Sequence, residues 1–300
     1  MKSNPSIRLL IVFLAVLFLP WKAFCADEML IGLIPEENIF NQVKRHRPLA
    51  AYLSNKLNKK VKLSILSRYG DIIDKFESRG MDGAFFGIYT GFITMEKLGV
   101  EPIARPVALD GKSTVRSYIF VRKDSGIKTV KEMRGKRIAF VDSATVTGYL
   151  YAVSFFNEKG IHDVDRHFKE CFFTGSHDSV VASVFDNRAD VGCAMSRVYQ
   201  KMIERDVAIK NELTVIAASD EFPAATLCLK KSLPASLKAK IKSILLHMED
   251  DPEGRAVLEK LGALRFVEAK KADFMPFAQL IRKAEAGKKP PVHGNGVKEK

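Results

Sequence analysis

RIAFVDSATVTGY, Arg137–Tyr149, is the stretch on which the reading of this chain turns. Ile138–Val141 is a continuous apolar run, the pattern of a strand buried on both faces. It breaks at Asp142 into a small, hydroxyl-bearing turn, and helical spacing begins at Gly148. A strand that passes through a tight loop into a helix is half of a βαβ unit. The start of such a helix exposes unpaired N–H groups at the positive end of its dipole. Ser143, Thr145 and Thr147 add hydroxyls, and Gly148 permits close backbone approach. The combination suits an oxyanion. One Ser or Thr acting as an ordinary N-cap accounts for the same residues, and taken alone that plainer reading is the commoner one.

Strand and helix patterns alternate outward from this stretch in both directions. Before it, strands are predicted at Met29–Leu33, Val61–Leu66, Asp82–Phe86, Ile103–Ala108 and Ser117–Arg122, with helices at Pro48–Leu57, Asp71–Arg79 and Thr90–Leu98. Thr129 and Glu132 form a capping box. After it come a helix at Gly148–Lys159, strands at Cys171–Phe173, Asp190–Cys193, Leu213–Ala218 and Thr226–Leu229, and helices at Asp178–Phe185 and Ser196–Arg205. Everything beyond Pro234 reads as helical. Two such series imply an α/β protein of two lobes, each a mixed, mostly parallel sheet flanked by helices. Crossings near Arg122–Gly126 and Phe222–Thr226 assign residues 27–121 plus 226–286 to the first lobe and 122–225 to the second. The cleft between them is the natural ligand site. Residues 287–300, GKKPPVHGNGVKEK, read as a disordered tail.

Residues 1–26 read as a cleavable signal peptide. Lys2 and Arg8 precede an apolar run, Leu9–Leu19, too short to span a bilayer, and small residues follow at Ala23, Cys25 and Ala26. Cleavage is expected after Cys25 or Ala26, which places the protein in the periplasm. Phe24 argues against a lipid anchor at Cys25. The formal charge of +13 falls to about +10 once Lys2, Arg8 and Lys22 are removed. In that compartment a basic surface meets anionic solutes or membranes, so nucleic acid is not the expected partner. Cys171, Cys193 and Cys228 form no metal-ligand spacing and no disulfide framework.

Three further loops follow predicted strands. Thr174-Gly-Ser-His-Asp178 places His177 at a helix start, where it reads equally as an exposed capping-turn residue. Ser67-Arg-Tyr-Gly70 and Phe85-Phe-Gly-Ile-Tyr-Thr-Gly91 offer Tyr69 and Tyr89, each a rigid apolar body with one hydroxyl, and each also readable as partly buried core.

The order and spacing of these blocks resemble the periplasmic phosphonate/phosphite-binding proteins of ABC importers, a group of two-lobed type II binding proteins. The resemblance runs from Leu30 to about Phe266 and is carried by SRYGDIIDKFESRGMDGAFFG, KTVKEMRGKRIAFVDSATVTGYLY and FTGSHDSVVASVFDNRADVGCAMS. It implies a Venus-flytrap protein that closes over a phosphorus oxyanion (phosphonate, phosphite or phosphate) and docks on an ABC permease. Tyr69 would bond the anion from the first lobe. Thr145, Thr147 and Gly148 would cradle it from the second, with His177 as a further donor. Val146 stands where the family commonly has a serine-type hydroxyl, so only its backbone N–H remains. Gly91 occupies the family's tyrosine position, leaving Tyr89 as its candidate substitute. No carboxylate stands near Ala224-Ala225, where aminoalkylphosphonate binders carry one, although Glu221 is close. A small oxyanion is therefore expected, in a monomer without metal or other cofactor. The sequence has no GxSxG, HExxH or GxxxxGKS motif, so no enzyme is expected. A periplasmic partner of a membrane sensor, or a binder of a non-phosphorus ligand, is the alternative.

Overall fold

The computed structural model describes residues 28–286. The expected signal peptide, Cys25 and the tail at 287–300 lie outside the described residues. In chain order the strands are β1 (Glu28–Leu33), β2 (Lys60–Ile65), β3 (Gly83–Phe86), β4 (Glu101–Ala108), β5 (Thr114–Val115), β6 (Ser117–Arg122), β7 (Arg137–Phe140), β8 (Glu170–Phe173), β9 (Val191–Met195), β10 (Leu213–Ala218), β11 (Phe222–Pro223), β12 (Thr226–Leu229) and β13 (Ala263–Glu268). The first sheet has the order β13-β4-β12-β3-β1-β2 and the second β10-β6-β9-β7-β8, while β5 and β11 form a separate two-stranded ribbon.

Both sheets are mixed. β1 runs parallel to β2 and β3, and β7 runs parallel to β8 and β9. β12 lies antiparallel between β3 and β4, and β6 lies antiparallel between β9 and β10. The antiparallel share is larger than the βα alternation predicts, because β6 and β12 enter their sheets directly from the ribbon rather than through a helix. β5 and β11 pair at Phe222↔Val115 and Pro223↔Thr114, and the chain crosses between lobes there. This corrects the expected boundary at 121/122: β6 belongs to the second sheet, so the first crossing lies at Thr114–Val115, not near Arg122.

The helices are α1 (Ile39–Leu57), α2 (Asp71–Ser78), α3 (Ile88–Leu98), α4 (Tyr151–Glu158), α5 (Val164–His167), α6 (His177–Phe185), α7 (Ser196–Arg205), α8 (Val207–Glu212), α9 (Ala235–Leu246), α10 (Pro252–Leu261) and α11 (Ala278–Ala286). Capping residues fix several of these ends. The Asn38 side chain accepts from Phe40 N–H, and Asp251 accepts from Glu253 N–H with Pro252 at the first helical position. Gly99 and Gly262 close α3 and α10 in the left-handed region, at φ 64° and 75°. The helix expected from Pro48 begins nine residues earlier, at Ile39. Pro48 sits inside it, and the carbonyl that loses its helical partner belongs to Lys44, an exposed residue. The segment beyond Pro234 is not helical throughout, because Ala263–Glu268 forms edge strand β13 against β4.

The lobes are in contact. One buried apolar cluster joins Phe86 and Phe92 of the first lobe to Val146, Phe120 and Tyr199 of the second. Polar links cross the same seam. His177 N–H donates to the Glu36 carbonyl at 3.2 Å, and Asn38 N–H donates to Asp178 Oδ2 at 2.8 Å. Buried Glu37 pairs with Arg45 at 2.8 Å and reaches Arg205 of α7 at 3.8 Å. Among the described residues no helix is long and apolar enough to cross a membrane.

Candidate ligand-binding site

The loop after β7 is held from behind. Gly148 is buried against Val141, and a Cβ there would stand 2.5 Å from Val141 Cγ2 and 2.8 Å from Thr145 Oγ1. Gly148 therefore allows the loop to pack on β7 rather than lining the ligand space. Ser117 Oγ donates to the Thr147 carbonyl at 2.7 Å. The helix opens with a π turn, Val146–Leu150, in which Leu150 N–H bonds the Thr145 carbonyl at 3.0 Å. The N–H groups of Val146, Thr147 and Gly148 have no preceding helical turn to bond.

Tyr69, Tyr89, Thr145, Val146, Thr147 and His177 line one cavity of about 30 Å³ between the lobes. That is far below the ~300–1,000 Å³ of drug-sized sites. Of the residues singled out from sequence, Gly148 and Ser143 do not line it. Ser143 is exposed, and Glu221 immediately precedes β11 of the two-stranded ribbon. There Glu221 accepts from Lys112 Nζ at 2.8 Å and Thr114 Oγ1 at 2.6 Å, and Lys112 helps pull its pKa down to about 2.

Tyr69 is buried, its ring edge-on to His177 with centroids 5.9 Å apart, and its hydroxyl has no hydrogen-bond partner among the described residues. Burial, and then Glu36, hold its pKa well above the ordinary phenol value, so it remains an O–H donor. His177 accepts a hydrogen bond from Met195 N–H on Nδ1 at 3.0 Å. That bond leaves the ring proton on Nε2, which makes Nε2 a donor. Burial lowers the His177 pKa to about 3, so the ring is neutral at physiological pH. Among the described residues the Thr147 hydroxyl has no hydrogen-bond partner, whereas Thr145 Oγ1 donates to the Asp142 carbonyl at 2.8 Å. Thr145 Oγ1 can then only accept.

Sequence reasoning missed Glu36, which lines the cavity from the loop after β1 and whose pKa is raised by burial. EE following Pro35 resembles any solvated loop. Gly91 is explained by packing: a Cβ there would meet the Phe274 ring at 2.9 Å, so no tyrosine fits, and Tyr89 on the first turn of α3 reaches the cavity instead. The wall is thus built of neutral donors, two acceptors and no Lys or Arg. Among the described residues no cluster of His, Cys, Asp or Glu is arranged to hold a metal.

Two mixed α/β lobes, a two-stranded crossing and a donor-lined cavity at the seam define a type II periplasmic binding protein. Residues 31–274 match the family described as ABC transporter, phosphonate, periplasmic substrate-binding protein, and the chain belongs to that family. It is 26% identical over 254 residues to the phosphonates-binding periplasmic protein of Escherichia coli, covering 83% of this chain and 74% of that one. The structure resembles a binding protein component of an ABC phosphonate transporter from Pseudomonas aeruginosa, with a TM-score of 0.80 at 20% identity and 91% of each chain covered. It also resembles PhnD1 of Prochlorococcus marinus, solved with methylphosphonate, with a TM-score of 0.78 at 21% identity over 87% of this chain and 99% of that one.

Proposed function

We propose that this protein captures a small phosphorus oxyanion between its lobes in the periplasm and delivers it, as a monomer, to an ABC permease. The observation that carries the reading is the Tyr69 hydroxyl, buried and unpartnered beside Thr147 and the neutral His177. An orphaned buried O–H is costly, and an anion oxygen would satisfy it. Helix-start N–H groups of Val146 and Thr147 would bind the other oxygens with neutral donors and the positive dipole end.

Thr145 Oγ1 and the Glu36 carboxylate supply acceptors in the same wall. A phosphorus monoanion carries a P–O–H that can donate to them. Sulfate and alkylsulfonates carry no such proton at neutral pH, so these acceptors disfavour them. The test is a thermal-shift and calorimetric series on the purified protein. Methylphosphonate, phosphite or phosphate should raise the melting temperature, because a ligand that binds only the folded state stabilises it. Methylsulfonate should not. Absence of a shift with every phosphorus oxyanion would overturn the reading.

A further inference from the structure

A second cavity adjoins the ligand space at Glu36. Ile34, Glu36, Met195 and Ala225 also line this second chamber of about 50 Å³, whose other polar walls are Gln42, Arg45, His46, Arg197 and Lys201. Its groups are incompletely matched. Gln42 Nε2 donates to the Ile34 carbonyl at 2.6 Å, but its buried Oε1 has no donor. Arg45 pairs with Glu37 at 2.8 Å and Glu36 at 3.7 Å, yet its buried Nε has no acceptor. Arg197 is held by the carbonyls of Lys112 and Thr114 at 3.2 and 3.0 Å. Lys201 is half-buried on α7 and has no hydrogen-bond or ion-pair partner among the described residues. Burial, and then Arg45, bring its pKa down to about 8. With Arg45 already paired to Glu37, Arg197 and Lys201 are the cations that face the lining carboxylate of Glu36 without an ion pair among the described residues.

We propose that this chamber is a second subsite, which takes a carboxylate carried on a short chain by the phosphorus ligand held at Tyr69, Thr147 and His177. The inference rests on the function proposed above. An alkyl substituent would leave Lys201 unpaired in a half-buried position. An ammonium would enter a field already dominated by Arg45, Arg197 and Lys201. A carboxylate gives Lys201 a charge-assisted partner and balances the excess.

Calorimetry on the purified protein with methylphosphonate, propylphosphonate, 3-aminopropylphosphonate and 3-phosphonopropionate tests this. We expect 3-phosphonopropionate to bind at least ~10-fold more tightly than propylphosphonate, as a buried charge-assisted contact supplies, and 3-aminopropylphosphonate to bind more weakly than either. In Lys201→Met the ratio of the first two affinities should fall toward one. If methylphosphonate binds but the carboxylate brings no gain, if the amine binds more tightly, or if Lys201→Met keeps the preference, the subsite is wrong while the oxyanion site stands. If none of the four binds, the function proposed above fails and this inference with it.

Discussion

Asp178 Oδ2 accepts the backbone N–H of Asn38 across the interlobe seam at 2.8 Å, and the next residue back, His177, donates its own N–H to Glu36 at 3.2 Å. The turn that presents the His177 ring to the cavity thus also clasps the opposite lobe. Asp178→Ala removes one clasp without touching the cavity wall. Because the bond is exposed, its contribution is about 1 kcal/mol, a loss of roughly fivefold in ligand affinity. Calorimetry checks the affinity, and small-angle scattering should show a larger radius of gyration in the ligand-free variant.

Tyr69→Phe separates stability from binding. In the ligand-free protein the hydroxyl is buried without a partner, so removing it should stabilise the fold by about 1 kcal/mol. The same change should weaken binding of the phosphorus oxyanion by ~10-fold or more, since a charge-assisted hydrogen bond is lost. Thermal melts with and without ligand read both signs. A destabilised free protein with intact affinity would show that Tyr69 is a core residue.

Thr145 and Thr147 are expected to behave differently despite their shared chemistry. Thr145→Val breaks the bond to the Asp142 carbonyl and should cost about 1 kcal/mol of stability. Thr147→Val leaves the loop's internal bonds in place, because its carbonyl, not its hydroxyl, is held by Ser117. Its effect should appear in ligand affinity with little change in the ligand-free melting temperature.

Acid should destabilise the fold through two neutral histidines. Burial lowers the pKa of both His46 and His177 to about 3, below the ~6.5 of an unfolded histidine. Between those values the unfolded chain binds protons that the folded chain excludes, so stability falls as pH falls. The contribution is complete above about pH 6.5 and is lost progressively toward pH 3. Denaturant melts from pH 7 to 4 should show this slope, and His46→Gln should make it shallower. Ligand affinity should not follow a histidine titration between pH 5 and 8, because His177 stays neutral throughout.

Much of the architecture was legible because local pattern and tertiary role agree. Ile138–Val141, which spans most of β7, is an uninterrupted apolar run, and the TVTG turn that follows carries its chemistry in side chains and glycine. Where the reading failed, tertiary context outweighed pattern. Arg265 interrupts the apolar run of β13 and Leu264 is exposed, because an edge strand needs only one buried face. The two-residue strands β5 and β11 are too short to leave a periodic signal, so the crossing was placed one strand late. Pro48 masked the first half of α1, because a proline inside a helix looks like a helix start. For the site, six of the seven residues chosen from sequence line the cavity, but the division of labour between Thr145 and Thr147 depends on a hydrogen bond to Asp142 that spacing does not encode. Glu36 and Lys201 come together only when the lobes meet.

The position of β12 bears on how the chain is made. Every strand of the second sheet lies in one uninterrupted run, from Ser117 to Ala218, whereas the first sheet waits for Thr226–Leu229 to enter between β3 and β4. A polypeptide emerging amino-terminus first can finish the inner lobe while the outer one is still split, with β3 and β4 both presenting open edges. Completion of the first sheet then requires the insertion of a central strand, with edge strand β13 (Ala263–Glu268) still to follow, and that insertion is a contact between distant parts of the sequence and hence a slow one. Chains arrested before Leu229 should be the species that chaperones hold and proteases remove.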